Sequence, residues 1–229
     1  MIYTITHKPL QSYPVNCIMV GTQEADIPPT VIRTRDFYSD LAALNPLFGE
    51  VEAYKFIADF VTFEEKGQDT YRRQLKETSI PQGYDGIAVP MLNAGSLFNQ
   101  YSACHHSQDL ENARDILLSI YPEYEDAWHQ YIMKGTELYY GGSFILKCQE
   151  YNDYATWLFS ILEGLLTQYN FNTMEDVYTY VSTWATTSNV PYQSRFFGFL
   201  AERLTTLYFK RNLNIYPTNY NLLENGMVL

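Results

Sequence analysis

The sequence predicts an α/β fold: a mostly parallel sheet with helices on both faces. Strand-like runs at 2–6, 86–90 and 138–146 alternate with segments whose apolar residues recur at three- and four-residue steps. The length, 229 residues with 46% hydrophobic side chains, suits one domain of ordinary size around a single core. No internal repeat and no low-complexity linker marks a second unit. We therefore expect one domain across residues 1–229, ending in an irregular asparagine- and tyrosine-rich tail over 212–229.

Ile2-Tyr-Thr-Ile-Thr6 is β-branched and aromatic, and His7-Lys8-Pro9 ends it, so it reads as an opening strand and its exit loop. Ligands of open α/β sheets bind at the carboxyl ends of strands, which makes His7 and Lys8 candidate phosphate or base contacts. Cys17 to Val20 reads as a second strand ending at Gly21, and 22–36 as loop with Pro28-Pro29. From Asp40 to Phe63 the pattern is mainly helical, with Asn45-Pro46 as a start and Glu50, Ala53, Tyr54, Ile57, Ala58 and Val61 on one face.

Gly83 to Pro90 reads as a turn and a buried strand. The next helix carries Leu110, Ala113, Leu117 and Ile120, with Ser107 or Asp109 as its cap. Glu137 to Lys147 is a strand broken by Gly141-Gly142, where a ligand can approach the backbone closely. The clearest helix holds Tyr154, Trp157, Leu158, Ile161, Leu162, Leu165 and Leu166; Thr173 with Asp176 opens another.

Near the C-terminus, Phe196, Phe199, Leu200, Leu204, Leu207 and Tyr208 define one buried helical face. Glu202 falls among them, flanked by Arg195 and Arg203. A carboxylate in apolar surroundings is costly to bury, so it is either paired with an arginine or held for chemistry.

Composition narrows the partners. A net charge of −11 disfavours nucleic acid and anionic membranes, without excluding a local basic pocket for one nucleotide diphosphate. Cys17, Cys104 and Cys148 have no metal-like spacing and suggest reduced thiols in a cytoplasm. Met1 to His7 lacks a basic start and apolar run, and no stretch is apolar enough to span a bilayer, so we expect a cytoplasmic protein without a transmembrane segment. The 21 tyrosines suit stacking on sugars or bases, or filling half-buried surfaces.

Gly198-Phe-Leu-Ala-Glu-Arg-Leu204 resembles the C-terminal signature of bacterial glycosyltransferases of capsule and O-antigen synthesis, a group that includes galactofuranosyltransferases. Thr6-His-Lys-Pro9 resembles the N-terminal motif of that group. Thr70-Tyr-Arg-Arg73 stands where it carries His-Tyr-Arg-Arg. Tyr84-Asp85, Gln100-Tyr101, His105-His106 and Asp109-Leu110 follow its spacing, and Gly142-Ser-Phe-Ile-Leu146 its Asn-Met-Phe-Ile-Met, with glycine for asparagine.

The resemblance implies a GT-A fold, a nucleotide-sugar donor and a hydroxyl acceptor, a glycan in the pathways that use this group. It implies donor contacts at Thr6, His7, Lys8, Arg72, Arg73 and Arg195, acceptor or sugar contacts at Asp85, His105, His106, Gly142 and Ser143, and a base at Glu202. Most GT-A enzymes hold the diphosphate with a metal on Asp-x-Asp. That motif is missing from this sequence, and arginine can replace the metal, so no cofactor is expected.

Alternatives remain at each position. Arg72 and Arg73 fit a phosphate clamp or a solvated helix start. Glu202 fits an inverting general base or an ion pair with Arg195 or Arg203. Adjacent histidines point apart, so His105 and His106 rarely share a metal; capping, substrate hydroxyls or a polar core role suit them. The same catalytic core could serve a hydroxymethylated base in phage DNA, if Arg33, Arg35, Lys210 and Arg211 formed one basic patch, or an inactive sugar-binding relative.

Overall fold

A computed structural model describes residues 1–22 and 27–223. In chain order, β1 (Ile2–Thr6), β2 (Cys17–Met19) and β3 (Ile32–Arg33) precede the short helices α1 (Ser39–Ala43) and α2 (Asn45–Phe48), a 3-10 turn (Gly49–Val51) and α3 (Glu52–Phe60). Then come β4 (Glu65–Thr70), β5 (Arg73–Leu75) and β6 (Gly86–Leu92), followed by α4 (Leu97–Cys104), α5 (Ser107–Ile120) and α6 (Glu125–Trp128). The long strand β7 (Glu137–Lys147) leads to α7 (Cys148–Tyr169), α8 (Met174–Ser182), α9 (Val190–Gln193), α10 (Phe196–Asn212), β8 (Ile215–Pro217) and β9 (Tyr220–Leu222).

The α/β class is as the sequence predicts, and the sheet adds detail. Its order is β3-β2-β1-β4-β7-β6-β8, with β5 and β9 paired beside β4. β1, β2, β3 and β4 run parallel, as do β6 and β8, whereas β7 is antiparallel to both β4 and β6. The sheet is therefore mixed rather than mostly parallel. The cause is local: the helical excursion after Leu92 returns the chain to Glu137, which is the register partner of Leu92 itself. A connection that returns to the sheet end it left must send the next strand back the other way.

The helices also gather on one face. Tyr3, Ile5, Ile18, Ala88, Phe144 and Leu146 join the large core that contains the apolar faces of the helices. Their strand neighbours Cys17, Met19, Ile87 and Ile145 point the opposite way, as alternation requires, into two small clusters built from loops and the C-terminal strands. Within the large core α10 packs on β7, α2 and α7.

The segment expected to be an irregular tail supplies β8 and β9, and residues 224–229 lie outside the described ones. Each strand is three residues long, too short for a period-2 pattern to stand out, and hydrogen bonding to β6 and β5 orders it. The Thr173–Asp176 capping box forms as expected. The expected cap of α5 does not: His106 holds the cap position without a side-chain bond, and Asp109 is buried and accepts the hydroxyls of Tyr169 (2.6 Å) and Tyr180 (2.5 Å). Among the described residues, no helix is long and apolar enough to cross a membrane.

Candidate active site

A cavity of about 550 Å³ opens at the carboxyl ends of β1 and β4. Its walls come from Thr6 and His7 at the end of β1, Thr70 to Arg73 at the β4–β5 turn, and Tyr140, Gly142, Ser143 and Phe144 of β7. Asn45 to Val51 before α3, and Tyr192 to Glu202 of α9 and α10, complete it. Eight residues singled out from the sequence meet here: Thr6, His7, Arg72, Arg73, Gly142, Ser143, Arg195 and Glu202.

The cations stand at one end. Arg72 lies over the Tyr71 ring (4.8 Å) and donates through Nε to the Tyr71 hydroxyl (2.7 Å). Arg73 opens β5, and its guanidinium sits near the rings of Tyr140 (4.7 Å) and Tyr220 (5.4 Å). Rings fix the guanidinium planes while leaving N–H groups for another acceptor. The expected alternative for this pair, a solvated helix start, is corrected to a strand turn. His7 packs edge-on to Tyr71 (5.4 Å), and its pKa is lowered to about 4 by burial, then by the charges of Arg195, Lys8 and Arg72. It is a neutral imidazole at pH 7.

Two carboxylates stand opposite. Glu202 lines the cavity and accepts from Arg203 Nη1 (2.9 Å). Glu50 lines it too, in the 3-10 turn before α3, and burial followed by the charge of Glu202 raises its pKa to about 7. The charges of Arg73, Arg195 and Arg72 oppose that rise.

Gly142 is the hinge between the two walls. Its φ is +66°, and a Cβ there would collide with Glu50 Oε1 and lie 2.7 Å from the Tyr54 hydroxyl. Its carbonyl accepts from Gln68 Nε2 (3.0 Å), and Tyr151 in turn donates to Gln68 Oε1 (2.5 Å). Only glycine fits the position without strain. Three buried polar atoms along the cavity, Thr70 Oγ1, Arg73 Nε and Ser143 Oγ, have no protein hydrogen-bond partner.

Other predicted contacts lie elsewhere. Lys8 is adjacent to the cavity but not part of its lining; its backbone is tied to the Thr6 hydroxyl, and its charge reaches His7. Asp85 pairs with Lys147 (2.8 Å) and accepts the Asn214 amide, tying β6, β7 and the C-terminal segment together. His105 stacks on Phe199 (4.1 Å) with Nδ1 on Gln193 Oε1 (3.0 Å), so it supports the cavity wall from behind. His106 stacks on Trp184 (4.8 Å) beside Asp109, away from the cavity. Of the four cations whose clustering a DNA acceptor would require, Lys210 pairs with Glu137, Arg211 lies over Tyr124 (4.1 Å), and Arg35 donates to the Thr22 carbonyl (3.1 Å). Among the described residues, no three His, Cys, Asp or Glu side chains come together as a metal cage.

Sequence reasoning assigns no chemistry to Glu50, Tyr140 or Tyr192, all of which line the cavity. For Glu50 a signal existed. It lies on the same apolar helical stripe as Ala53, Tyr54 and Ile57, and a carboxylate there raises the same question as Glu202.

No curated protein sequence matches the chain. Among solved structures, the chain is similar to one described as the apo structure of WbbM, a bifunctional glycosyltransferase, with a TM-score of 0.76 and 18% identity over 98% of this chain. The chain spans 45% of the length of that protein. The likeness shows that the two share an α/β fold. Residues 83–213, more than half of the 229, match the family described as domain of unknown function DUF4422, and the chain belongs to that family.

Proposed function

We propose that the protein is a glycosyltransferase that moves a sugar, including a furanose, from a nucleotide-sugar donor to a hydroxyl of a glycan acceptor. The observation that carries this reading is the convergence of Arg72, Arg73 and Arg195 with Glu202 in one cavity at the carboxyl edge of the sheet. Ligands of open α/β sheets collect at that edge. The fold shared with a structure described as a glycosyltransferase supports the same reading.

In this mechanism the arginines grip the diphosphate through paired N–H donors and neutralise the charge that grows as it leaves. They do so without a divalent metal. Glu202 accepts the proton of the acceptor hydroxyl while that oxygen attacks the anomeric carbon, and the nucleotide diphosphate departs from the opposite face. The outcome is inversion. Thr6, His7, Lys8 and the unpartnered Arg73 Nε contribute to donor binding; Ser143, whose buried hydroxyl lines the same cavity, meets the sugar or acceptor.

The test is a thermal-shift and turnover screen over nucleoside diphosphates and their sugars. A matching nucleotide at a hundred times its dissociation constant stabilises the fold by about 2.7 kcal/mol. Slow release of free nucleotide diphosphate without acceptor, unaffected by chelator, is expected. A screen with no stabilising nucleotide would remove the donor assignment, and activity lost to chelator and restored by manganese would remove the metal-free step.

A further inference from the structure

Glu50 has no part in the mechanism above, yet it stands inside the cavity that performs it. It faces the charged and titratable groups of every element packed around it: Tyr54 of α3, Glu202 of α10, Arg195 at the start of α10, and Arg72 and Arg73 at the β4–β5 turn. The sixth neighbour is the bare backbone of Gly142, where any side chain would occupy the place the carboxyl group holds.

The charges in this enclosure balance narrowly. Three guanidiniums face two carboxylates, while Arg203 lies behind α10, buried and bonded to Glu202, Phe199 and Gln100. The arginines are what favour ionisation of Glu50 in the free protein; its burial and the charge of Glu202 oppose it. A sugar diphosphate brings two negative charges onto those same arginines. Once they are neutralised, the force that kept Glu50 ionised is spent, and the remaining influences all favour the acid form.

We propose that Glu50 takes up a proton from solvent when a diphosphate binds among Arg72, Arg73 and Arg195, and then meets the donor as a neutral carboxylic acid able to donate a hydrogen bond. The step forms one O–H bond and involves no other group. It makes donor binding and protonation a single coupled event, and it separates the two carboxylates: Glu202, bonded to Arg203, keeps the role of base while Glu50 is the neutral acid. This rests on the nucleotide-sugar reading.

Isothermal titration calorimetry of the wild-type protein with UDP, GDP, ADP and CDP tests it at pH 8, where the terminal phosphate is already ionised. For each nucleotide that binds, the heat is measured in three buffers of different ionisation enthalpy, which yields the protons taken up. The expected result is net uptake approaching one proton, with affinity falling by up to about tenfold for each pH unit above 7. Glu50→Gln abolishes the uptake and flattens that pH slope. Tight binding with buffer-independent heat, or uptake unchanged in Glu50→Gln, overturns the proposal and leaves the donor assignment standing. No binding by any of the four overturns both. Should Glu50→Gln fail to fold, carboxyl carbon NMR of the wild type decides: a glutamate titrating near pH 7 must move upward on adding nucleotide, and a stationary midpoint overturns the proposal.

Discussion

Glu202 and Arg203 are adjacent on α10 and still form an ion pair 2.9 Å long. Successive helical side chains diverge, so the pair exists only because Arg203 curls along the helix. The Arg203 guanidinium also donates to the Phe199 carbonyl (2.9 Å) and to Gln100 Oε1, and it covers the Tyr101 ring at 5.3 Å. The two readings of Glu202 are thus not exclusive. It is an ion-pair partner whose carboxylate also lines the cavity.

Glu202→Gln is therefore expected to lower transfer by roughly 10²–10⁴-fold if the carboxylate is the base. Its cost in stability should stay below the roughly 3–5 kcal/mol of a buried charge left wholly alone, because Arg203 retains two other acceptors. Melting temperature and turnover measured on one preparation separate the contributions. A stable variant with normal transfer would dispose of Glu202 as the base.

Replacing Arg72, Arg73 or Arg195 by alanine removes charge-assisted bonds worth about 1.5–3 kcal/mol each, so nucleotide affinity should fall by about ten- to a hundredfold per site. Titration of the three variants with the nucleotide found by the thermal screen measures this. Unchanged affinity in all three would move the diphosphate out of the cavity.

Gly142→Ala or Gly142→Asn places a side chain at a φ of +66° and against Glu50 and Tyr54. The backbone strain alone costs about 1–2 kcal/mol, and displacement of Glu50 adds to it. Denaturant melts should show the loss, and addition of Glu50→Ala should recover part of it. Additive losses in the double variant would mean that the two residues do not compete for space.

Stability should also respond to pH with a sign set by two kinds of buried group. Burial raises Asp69 from 3.8 to about 7, only partly offset by the Leu75 amide it accepts. The folded state then holds this proton more tightly than the unfolded chain between those values, so stability from this source falls as pH rises from about 4 to 7 and is level above. His7 and His105 are both lowered to about 4, so they act oppositely: stability falls as pH drops from 6.5 toward 4. Asp69→Asn keeps an oxygen for Leu75 and should stabilise the protein at pH 8, by an amount of order 2–4 kcal/mol, but much less at pH 4. An equal shift at both pH values would count against the assignment.

Much of this was legible in the chain, and what was not has physical causes. Ile2 to Thr6, the Thr173–Asp176 capping box and α7 follow local rules, so sequence pattern finds them. β4 does not. Glu65-Lys-Gly-Gln-Asp-Thr70 contains no apolar alternation, yet it lies between β1 and β7 because buried Lys66, Gln68 and Asp69 each have a dedicated partner. Lys66 Nζ donates to the Ala58 carbonyl (3.0 Å) and to Asn152 (2.6 Å), Gln68 bonds Tyr151 and Gly142, and Asp69 accepts from Leu75. Asn152, Gly142 and Tyr151 are distant in sequence, so no local window reveals them. Glu50 sits on a legible apolar stripe, but only the closed fold brings it opposite Gly142. Arg195 and Glu202 were easier to find, being on or next to one helix, seven residues apart on a shared face.

The ring contacts of Arg73 carry a consequence for how the protein is made. Tyr140 belongs to β7, but Tyr220 belongs to β9, the last strand described, and β9 hydrogen-bonds to the very strand that Arg73 opens. Chains emerge from the ribosome N-terminus first. Arg73 is synthesised before Tyr220 and waits, one ring contact unmade, until β9 has left the tunnel. The cavity acquires its finished cationic wall only once β9 has been made, so a nascent chain lacking Tyr220 holds this arginine by the Tyr140 ring alone.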